Sequence, residues 1–164
     1  MLTYRVVEDR DFDFIVRLLS DEALMRHFWV ERSLSKAEAL GWFEEWKTQQ
    51  RERGFSTWII SLQENGTDLG FIGLGPLAAI SGEIEIFRIF PQEHWGQGYG
   101  TMAGRRTFQQ GFSQFGLKQI YSSIHPDNHG SIRVAEKSGM TFVEYHPQTN
   151  RNLYLITSEE FNTR

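Results

Sequence analysis

The stretch HWGQGYG, residues 94–100, carries glycine at three alternate positions, Gly96, Gly98 and Gly100. It follows GEIEIFRIF (82–90), which has the alternation of a β-strand, and it precedes aromatic residues at helical spacing. Glycine lets the backbone approach a ligand closely, and we expect positive φ at Gly98 and Gly100. The N–H groups and the dipole at the start of a helix favour an anion. The stretch therefore predicts either a phosphate-binding turn or a plain tight turn.

A second segment, NHGSIRVAEKSGM (128–140), follows the predicted strand QIYSSI (119–124) and opens a helix with a cap residue. Together the two segments resemble the GNAT superfamily of acyl-CoA N-acyltransferases, whose pattern is (Arg/Gln)-x-x-G-x-(G/A) followed later by Asn-x-x-(Ala/Ser). Trp95 stands at the first position of that pattern. Trp95, together with Asn128 and Ser131, gives a pattern that resembles the RimJ/RimL branch of the superfamily.

The resemblance implies where an acyl coenzyme would bind. The pyrophosphate would lie on main-chain N–H groups of the glycine turn, contributed by Gln97, Gly98, Tyr99, Gly100 and Thr101. The main chain of the preceding strand would pair with the pantetheine arm, at Phe87, Arg88 and Ile89. The neighbouring strand (119–124) would splay away to leave room for the thioester. The side-chain amide of Asn128 would steady the arm, beside or instead of a simple helix-capping role.

The implied chemistry is attack of an amine on a thioester, which requires a neutral amine, a stabilised oxyanion and a leaving thiolate. Many members of the superfamily protonate the thiolate with a Tyr seven residues after the Asn, but that position here is Ala135. Ser131 is the nearest alternative donor, and first-turn capping explains it equally well. A thiol with a pKa of about 8.5 needs little help to leave.

Two acidic residues of the strand GEIEIFRIF, Glu83 and Glu85, share one face of that strand with Phe87 and Ile89. Near an apolar channel a carboxylate has a raised pKa and can accept the proton of the amine, directly or through water. Alternatively, the charges mark a strand end that reaches solvent. Glu85 is favoured because it matches the corresponding position in the family, and His125 is a second candidate base.

Aromatic residues in the weakest part of the resemblance, Phe28 and Trp29, are candidates for the wall of the acceptor pocket. Aromatic residues at helical spacing are more often part of a core, so both interpretations stay open.

Composition excludes several classes of function. The net charge is −4, and there is no basic run of the kind that nucleic-acid binding requires. The chain has no Cys, which excludes disulfides and thiolate metal sites, and its five His residues show no metal-binding spacing. No apolar stretch of about 18 residues is present. We expect a cytoplasmic protein with no metal and no membrane or nucleic-acid partner, either a monomer or a homodimer.

The order of predicted elements is β-α-α-β-β-β-α-β-α-β-β. It indicates an α/β (α+β) sheet domain. The resemblance implies a GNAT-like mixed, mostly antiparallel central sheet of about seven strands, with a splayed central pair and about four flanking helices. We expect one domain over residues 1–164. The function implied is transfer of the acetyl group of acetyl-CoA directly to a primary amine, on a small molecule or a protein N-terminus. The alternative is a non-catalytic acyl-CoA-binding regulatory module.

Overall fold

The structure, a computed structural model, describes residues Met1–Arg164. Seven strands and six α-helices follow one another along the chain. In chain order they are β1 (Leu2–Val6), α1 (Phe12–Leu19), α2 (Glu22–Met25), α3 (Lys36–Arg53), β2 (Thr57–Leu62), β3 (Asp68–Pro76), β4 (Ile84–Ile89), α4 (Tyr99–Ser113), β5 (Gln119–Ile124), α5 (His129–Lys137), β6 (Thr141–His146), β7 (Arg151–Thr157) and α6 (Ser158–Asn162).

The strands form one sheet in the order β1-β2-β3-β4-β5-β7-β6. Neighbours β1–β2, β2–β3, β5–β7 and β6–β7 are antiparallel, whereas β4 and β5 are parallel. The predicted mixed, mostly antiparallel sheet of seven strands is confirmed. The number of helices differs from the predicted four, because the additional helices α2 and α6 have only four and five residues. Segments this short show no helical periodicity in the sequence.

The predicted splay of the central strands is visible in the pairing of β4 with β5. Their register contains a single Cα pair, Glu85 with Tyr121, whereas β5 and β7 are paired along six positions. Parallel strands normally pair along a ladder, so pairing at a single position indicates strands that splay apart over part of their length. Glu85 therefore lies where the two strands meet.

Two elements follow directly from local sequence signals. Ser35 and Glu38 form a reciprocal capping box, in which each side chain accepts a hydrogen bond from the backbone N–H of the other residue, and α3 begins at the next residue after Ser35. The Asn65-Gly66 turn joins β2 to β3, with Gly66 at a φ of 72°. These signals act within a few residues, so the sequence alone identifies them.

The chain divides into two compact units, Met1–Gly73 with Arg88–Gln97 and Leu74–Phe87 with Gly98–Arg164. Each unit has its own fully buried apolar side chains. In the first unit these include Ile15, Leu19, Phe43, Ile59 and Phe71, and in the second Leu74, Phe108, Ile120, Leu153 and Ile156. The single domain expected over residues 1–164 stays a prediction. None of the helices combines the length and the apolar character that crossing a membrane requires.

Candidate active site

The glycine turn contains two residues in the left-handed region, Gly96 at a φ of 75° and Gly98 at 83°. Non-glycine residues rarely adopt these angles. Gly98 is the N-cap of α4, and its carbonyl accepts a hydrogen bond from Met102 N–H at 3.0 Å. The expectation of positive φ is wrong for Gly100, because α4 begins at Tyr99 and places Gly100 within its first turn. The turn therefore leads directly into a 15-residue helix whose positive dipole end lies at Gly98.

The space beside Gly98 is open, because a Cβ atom built on this residue would meet no atom within 4 Å. Two side chains in the turn before α4 donate hydrogen bonds to backbone carbonyls. The indole of Trp95 donates to the Phe90 carbonyl at 2.6 Å, and the amide of Gln97 donates to the Glu93 carbonyl at 3.2 Å. The side chain of Gln97 is thus bound to the main chain of the preceding turn.

Strand β4 carries the residues predicted to border the coenzyme arm. Phe87 and Ile89 are buried. Arg88 faces the opposite side of the strand, and burial lowers the pKa of its guanidinium to about 10. Glu85, two residues before Phe87, is only 2% exposed. A carboxylate so deeply buried requires hydrogen-bond donors.

One donor to the Glu85 carboxylate comes from β5. The Ser123 hydroxyl donates to its two oxygens, at 3.3 and 3.2 Å. The same Ser123 is held from β7, where Arg151 Nε donates to the hydroxyl oxygen at 3.3 Å and Nη2 donates to the backbone carbonyl at 2.8 Å. Arg151 is also buried, at 7% exposure. We call these three residues the Glu85 network. It joins a buried carboxylate and a buried guanidinium through one hydroxyl.

The two alternative bases have different surroundings. Glu83 precedes β4 and accepts a hydrogen bond from the Gln119 amide at 3.0 Å, at the start of β5. His125 follows β5, and its Nδ1 accepts from the backbone N–H of Asp127 at 3.0 Å. Glu83 and His125 therefore flank the point where Glu85 meets Tyr121.

Asn128 and Ser131 lie at the start of α5. The Asn128 side-chain oxygen accepts a hydrogen bond from Ser131 N–H at 3.2 Å, which is an N-cap. The capping role considered for Asn128 is thus confirmed, and its role toward a coenzyme stays a prediction. Ala135, at the position where many relatives have Tyr, is fully buried in α5.

The predicted acceptor residues belong to an aromatic cluster. The rings of Phe28 and Trp29 lie 4.5 Å apart, and Trp42 of α3 lies 6.2 Å from Phe28 and 5.5 Å from Trp29. All three side chains are half-buried, so each presents part of its surface to solvent. The next residues bend sharply, with Glu31 at a φ of 57°. Such a cluster can contact an apolar or cationic ligand.

A cavity of about 200 Å³ lies elsewhere in the first unit and contains none of the predicted site residues. It is lined by Val6, Val7, Trp46, Lys47, Gln50, Arg51 and Thr57. No group of three or more His, Cys, Asp or Glu side chains is placed to hold a metal ion.

Sequence reasoning missed Ser123 and Arg151. The alternation of QIYSSI places Ser123 on the same face of β5 as Tyr121, the residue that pairs with Glu85. A further signal was Arg151, the charged residue directly before NLYLIT. In the structure it is the first residue of β7 and does not lie in the preceding turn. Neither signal indicates by itself that Ser123 contacts Glu85 or that Arg151 contacts Ser123.

Comparison with known proteins agrees with this architecture. A family model described as an acetyltransferase (GNAT) domain matches residues 1–141. The uncharacterized protein YkkB of Bacillus subtilis is 29% identical over 160 residues, which cover 96% of this chain and 92% of YkkB.

Two solved structures illustrate the similarity of fold. Spermidine N-acetyltransferase from Vibrio cholerae, in complex with CoA and spermine, has a TM-score of 0.80 at 18% identity and covers 98% of each chain. An aminoglycoside acetyltransferase, AAC(6')-Ib, in complex with coenzyme A and kanamycin, has a TM-score of 0.81 at 17% identity. That match covers 99% of this chain and 98% of the other. With the family model matching most of its length, the chain belongs to the GNAT acetyltransferase family.

Proposed function

We propose that this GNAT acetyltransferase moves the acetyl group of acetyl-CoA directly to a primary amine of a small molecule or a protein N-terminus. The observation that carries the proposal is the buried carboxylate of Glu85 at the one position where β4 and β5 pair. In a family whose chemistry removes a proton from an amine, this is where a base would be useful. The same chain also has a turn suited to an anion.

Acetyl-CoA would be held mainly by backbone. Its pyrophosphate would meet the N–H groups of Gln97–Thr101, supported by the open space beside Gly98 and the positive end of the α4 dipole. The pantetheine arm would pair with the main chain of Phe87–Ile89. Asn128 would contribute its side-chain amide, while its oxygen caps α5. Neighbours of this fold solved with CoA support the choice of coenzyme.

The reaction forms an N–C bond and breaks the C–S bond of the thioester. Glu85 would accept the proton that the amine loses, directly or through water. A main-chain N–H near Phe87–Ile89 would stabilise the oxyanion. The leaving thiolate would accept a hydrogen bond from the Ser131 hydroxyl, and because its basicity is modest it would need no stronger acid. Three groups of this chain thus serve the three requirements of the reaction.

The acceptor would contact the aromatic cluster of Phe28, Trp29 and Trp42. Aromatic faces attract cations, and the chain has a net charge of −4, so a cationic amine is the class that suits both features. The solved neighbours bound to spermine and kanamycin support the same class. If the chain is RimJ/RimL-like, the acceptor would be the amine of a protein N-terminus. The proposal also includes a cytoplasmic location and a monomeric or homodimeric state.

A second candidate function is a non-catalytic acyl-CoA-binding regulatory module. Ala135 favours it, because the position at which many relatives carry the thiolate-protonating Tyr has no functional group. Such a module would bind acetyl-CoA and release no free CoA. The two candidate functions therefore predict opposite results for turnover of acetyl-CoA.

Isotope-labelled acetyl-CoA, incubated with the protein and a library of polyamines, amino acids, aminoglycosides and short peptides, tests the proposal. We expect labelled acetyl on the nitrogen of at least one amine, detected by mass spectrometry and dependent on the protein. Saturable acetyl-CoA binding without labelled product from any class of amine would contradict the enzyme and support the module.

A further inference from the structure

The structure also contains a buried Arg outside the sequence motifs of the family, and it contacts the candidate base through one residue. We propose that Arg151 is a positioning residue that, acting through Ser123, holds the Glu85 carboxylate ionised and oriented as a hydrogen-bond acceptor. This inference rests on the proposed function, in which Glu85 takes the proton of the amine. It means that Arg151, a residue of β7, supports the proton transfer to Glu85 of β4.

The direction of each hydrogen bond in the Glu85 network follows from the donors available. A guanidinium has only donors, so Arg151 Nε must donate to the Ser123 hydroxyl oxygen. The single hydroxyl proton of Ser123 then points to the Glu85 carboxylate, which lies 3.2 and 3.3 Å away. Glu85 is consequently the acceptor. Donation to a carboxylate favours its ionised form.

The geometry also shows that Arg151 holds Ser123 firmly. Its Nη2 donates to the Ser123 backbone carbonyl at 2.8 Å, so two nitrogens of one guanidinium bind two atoms of one residue. Ser123 pairs with Leu153 across β5 and β7, which places Arg151 two residues earlier on the same face. The hydroxyl is thus fixed by both its strand and the guanidinium.

The other titratable groups named near Glu85 carry no permanent positive charge, apart from Arg88, which faces the opposite side of β4. Glu83, on the face of Glu85, accepts from the Gln119 amide. Burial, followed by the negative charges of Glu83 and Glu144, raises the pKa of Tyr121, which therefore stays neutral. His125 accepts a backbone hydrogen bond at Nδ1. Apart from Arg88, Arg151 is the group among these whose charge is permanent.

A purely structural role is the competing explanation. Replacing a buried ion pair often changes stability little, whereas removing one partner leaves a buried charge uncompensated. Stability measurements therefore cannot separate the two explanations. The protonation state of Glu85 can separate the two explanations, because only the proposed role requires Arg151 to control it.

The experiment follows the ¹³C resonance of the Glu85 carboxyl carbon against pH, with the resonance assigned by its loss in Glu85→Gln. In Arg151→Met we expect the titration midpoint to move up by about one pH unit or more. Arg151→Lys should restore part of the shift, because it keeps a cation. Ser123→Ala should move the midpoint in the same direction by less, and it leaves the carbonyl that binds Arg151 in place. Arg5→Met, which removes a strand arginine that pairs with Asp11, should leave the midpoint unchanged.

The pH profile of kcat/KM for an amine found by the library screen gives a second readout. Its acid limb should move to higher pH in Arg151→Met by the same amount as the resonance. An unmoved midpoint in both Arg151→Met and Ser123→Ala overturns the inference, whether or not the protein is active. A moved midpoint in a protein that acetylates no amine would instead overturn the proposed function and the catalytic part of this inference with it. If Arg151→Met does not fold, Ser123→Ala and Arg151→Lys decide the question alone.

Discussion

Substitution of Gly98 by Val, compared with the same substitution at Gly54, tests the proposed coenzyme-binding role of the glycine turn. The two glycines have almost the same backbone, with φ and ψ of 83° and 3° at Gly98 and 86° and 0° at Gly54, the C-cap of α3. A Cβ atom at either would meet no atom within 4 Å. The backbone strain of the two variants is therefore matched, at about 2 kcal/mol each. For a protein of this size such a loss lowers Tm by about 4–8 °C.

Only Gly98→Val should also lose affinity for acetyl-CoA. Its side chain would fill the open space beside the start of α4, where the pyrophosphate is proposed to lie. We expect calorimetry to show a Kd at least about tenfold weaker, or about 1.4 kcal/mol, while Gly54→Val binds like the wild type. Equal affinity in the two variants, with equal falls in Tm, would refute the reasoning and place the phosphates elsewhere.

Three further predictions concern stability and kinetic mechanism. Burial raises the pKa of Asp11, but the two hydrogen bonds from Arg5 and its charge outweigh burial, so the net pKa is lowered. The stability that ionised Asp11 contributes is therefore present above the ordinary Asp pKa and is lost as pH falls through the lowered pKa. Asp11→Asn should therefore destabilise by about 2 kcal/mol at pH 7, with a deficit that narrows below about pH 4 in urea titrations. Gly70→Ala should cost about 2 kcal/mol or more, because its Cβ would lie 2.3 Å from the Ile89 carbonyl oxygen, whereas Gly41→Ala, with open space around it, should lose nothing in the same melting assay. Initial-rate kinetics should give intersecting lines, since the chain has no Cys to carry an acyl group and a bound thioester needs only proximity to the amine; parallel lines would contradict direct transfer.

The features that the sequence predicted best depend on neighbouring residues. The capping box of Ser35 and Glu38, the Asn65-Gly66 turn and the Asn128 cap each involve hydrogen bonds over three residues or fewer. Their partners are visible in the sequence beside them. The same locality explains the error at Gly100, because a shift of the helix start by a single residue decides whether a glycine lies in the turn or in the helix.

The Glu85 network could not be predicted, because it depends on the order of strands in the sheet. Ser123 lies 38 residues after Glu85, and Arg151 lies 28 residues after Ser123. They meet because β5 lies between β4 and β7 in the sheet. Alternation identified the face on which Glu85 lies, but not the residues opposite it. Sequence reasoning therefore found the candidate base and missed the residues that hold it.

The most direct test of the central claim, acetyl transfer with Glu85 as the base, is amine-dependent release of CoA by wild type and Glu85→Gln across pH. The substitution keeps the shape of the side chain and one oxygen that can accept from Ser123, and it removes the basic oxygen. At pH 7 an amine with a pKa near 10.4 is mostly protonated, so kcat of Glu85→Gln should fall about 10²-fold while acetyl-CoA affinity stays nearly unchanged. The deficit should shrink as pH rises, because the free amine becomes available without a base. A Glu85→Gln protein with the kcat of the wild type at neutral pH would contradict the account.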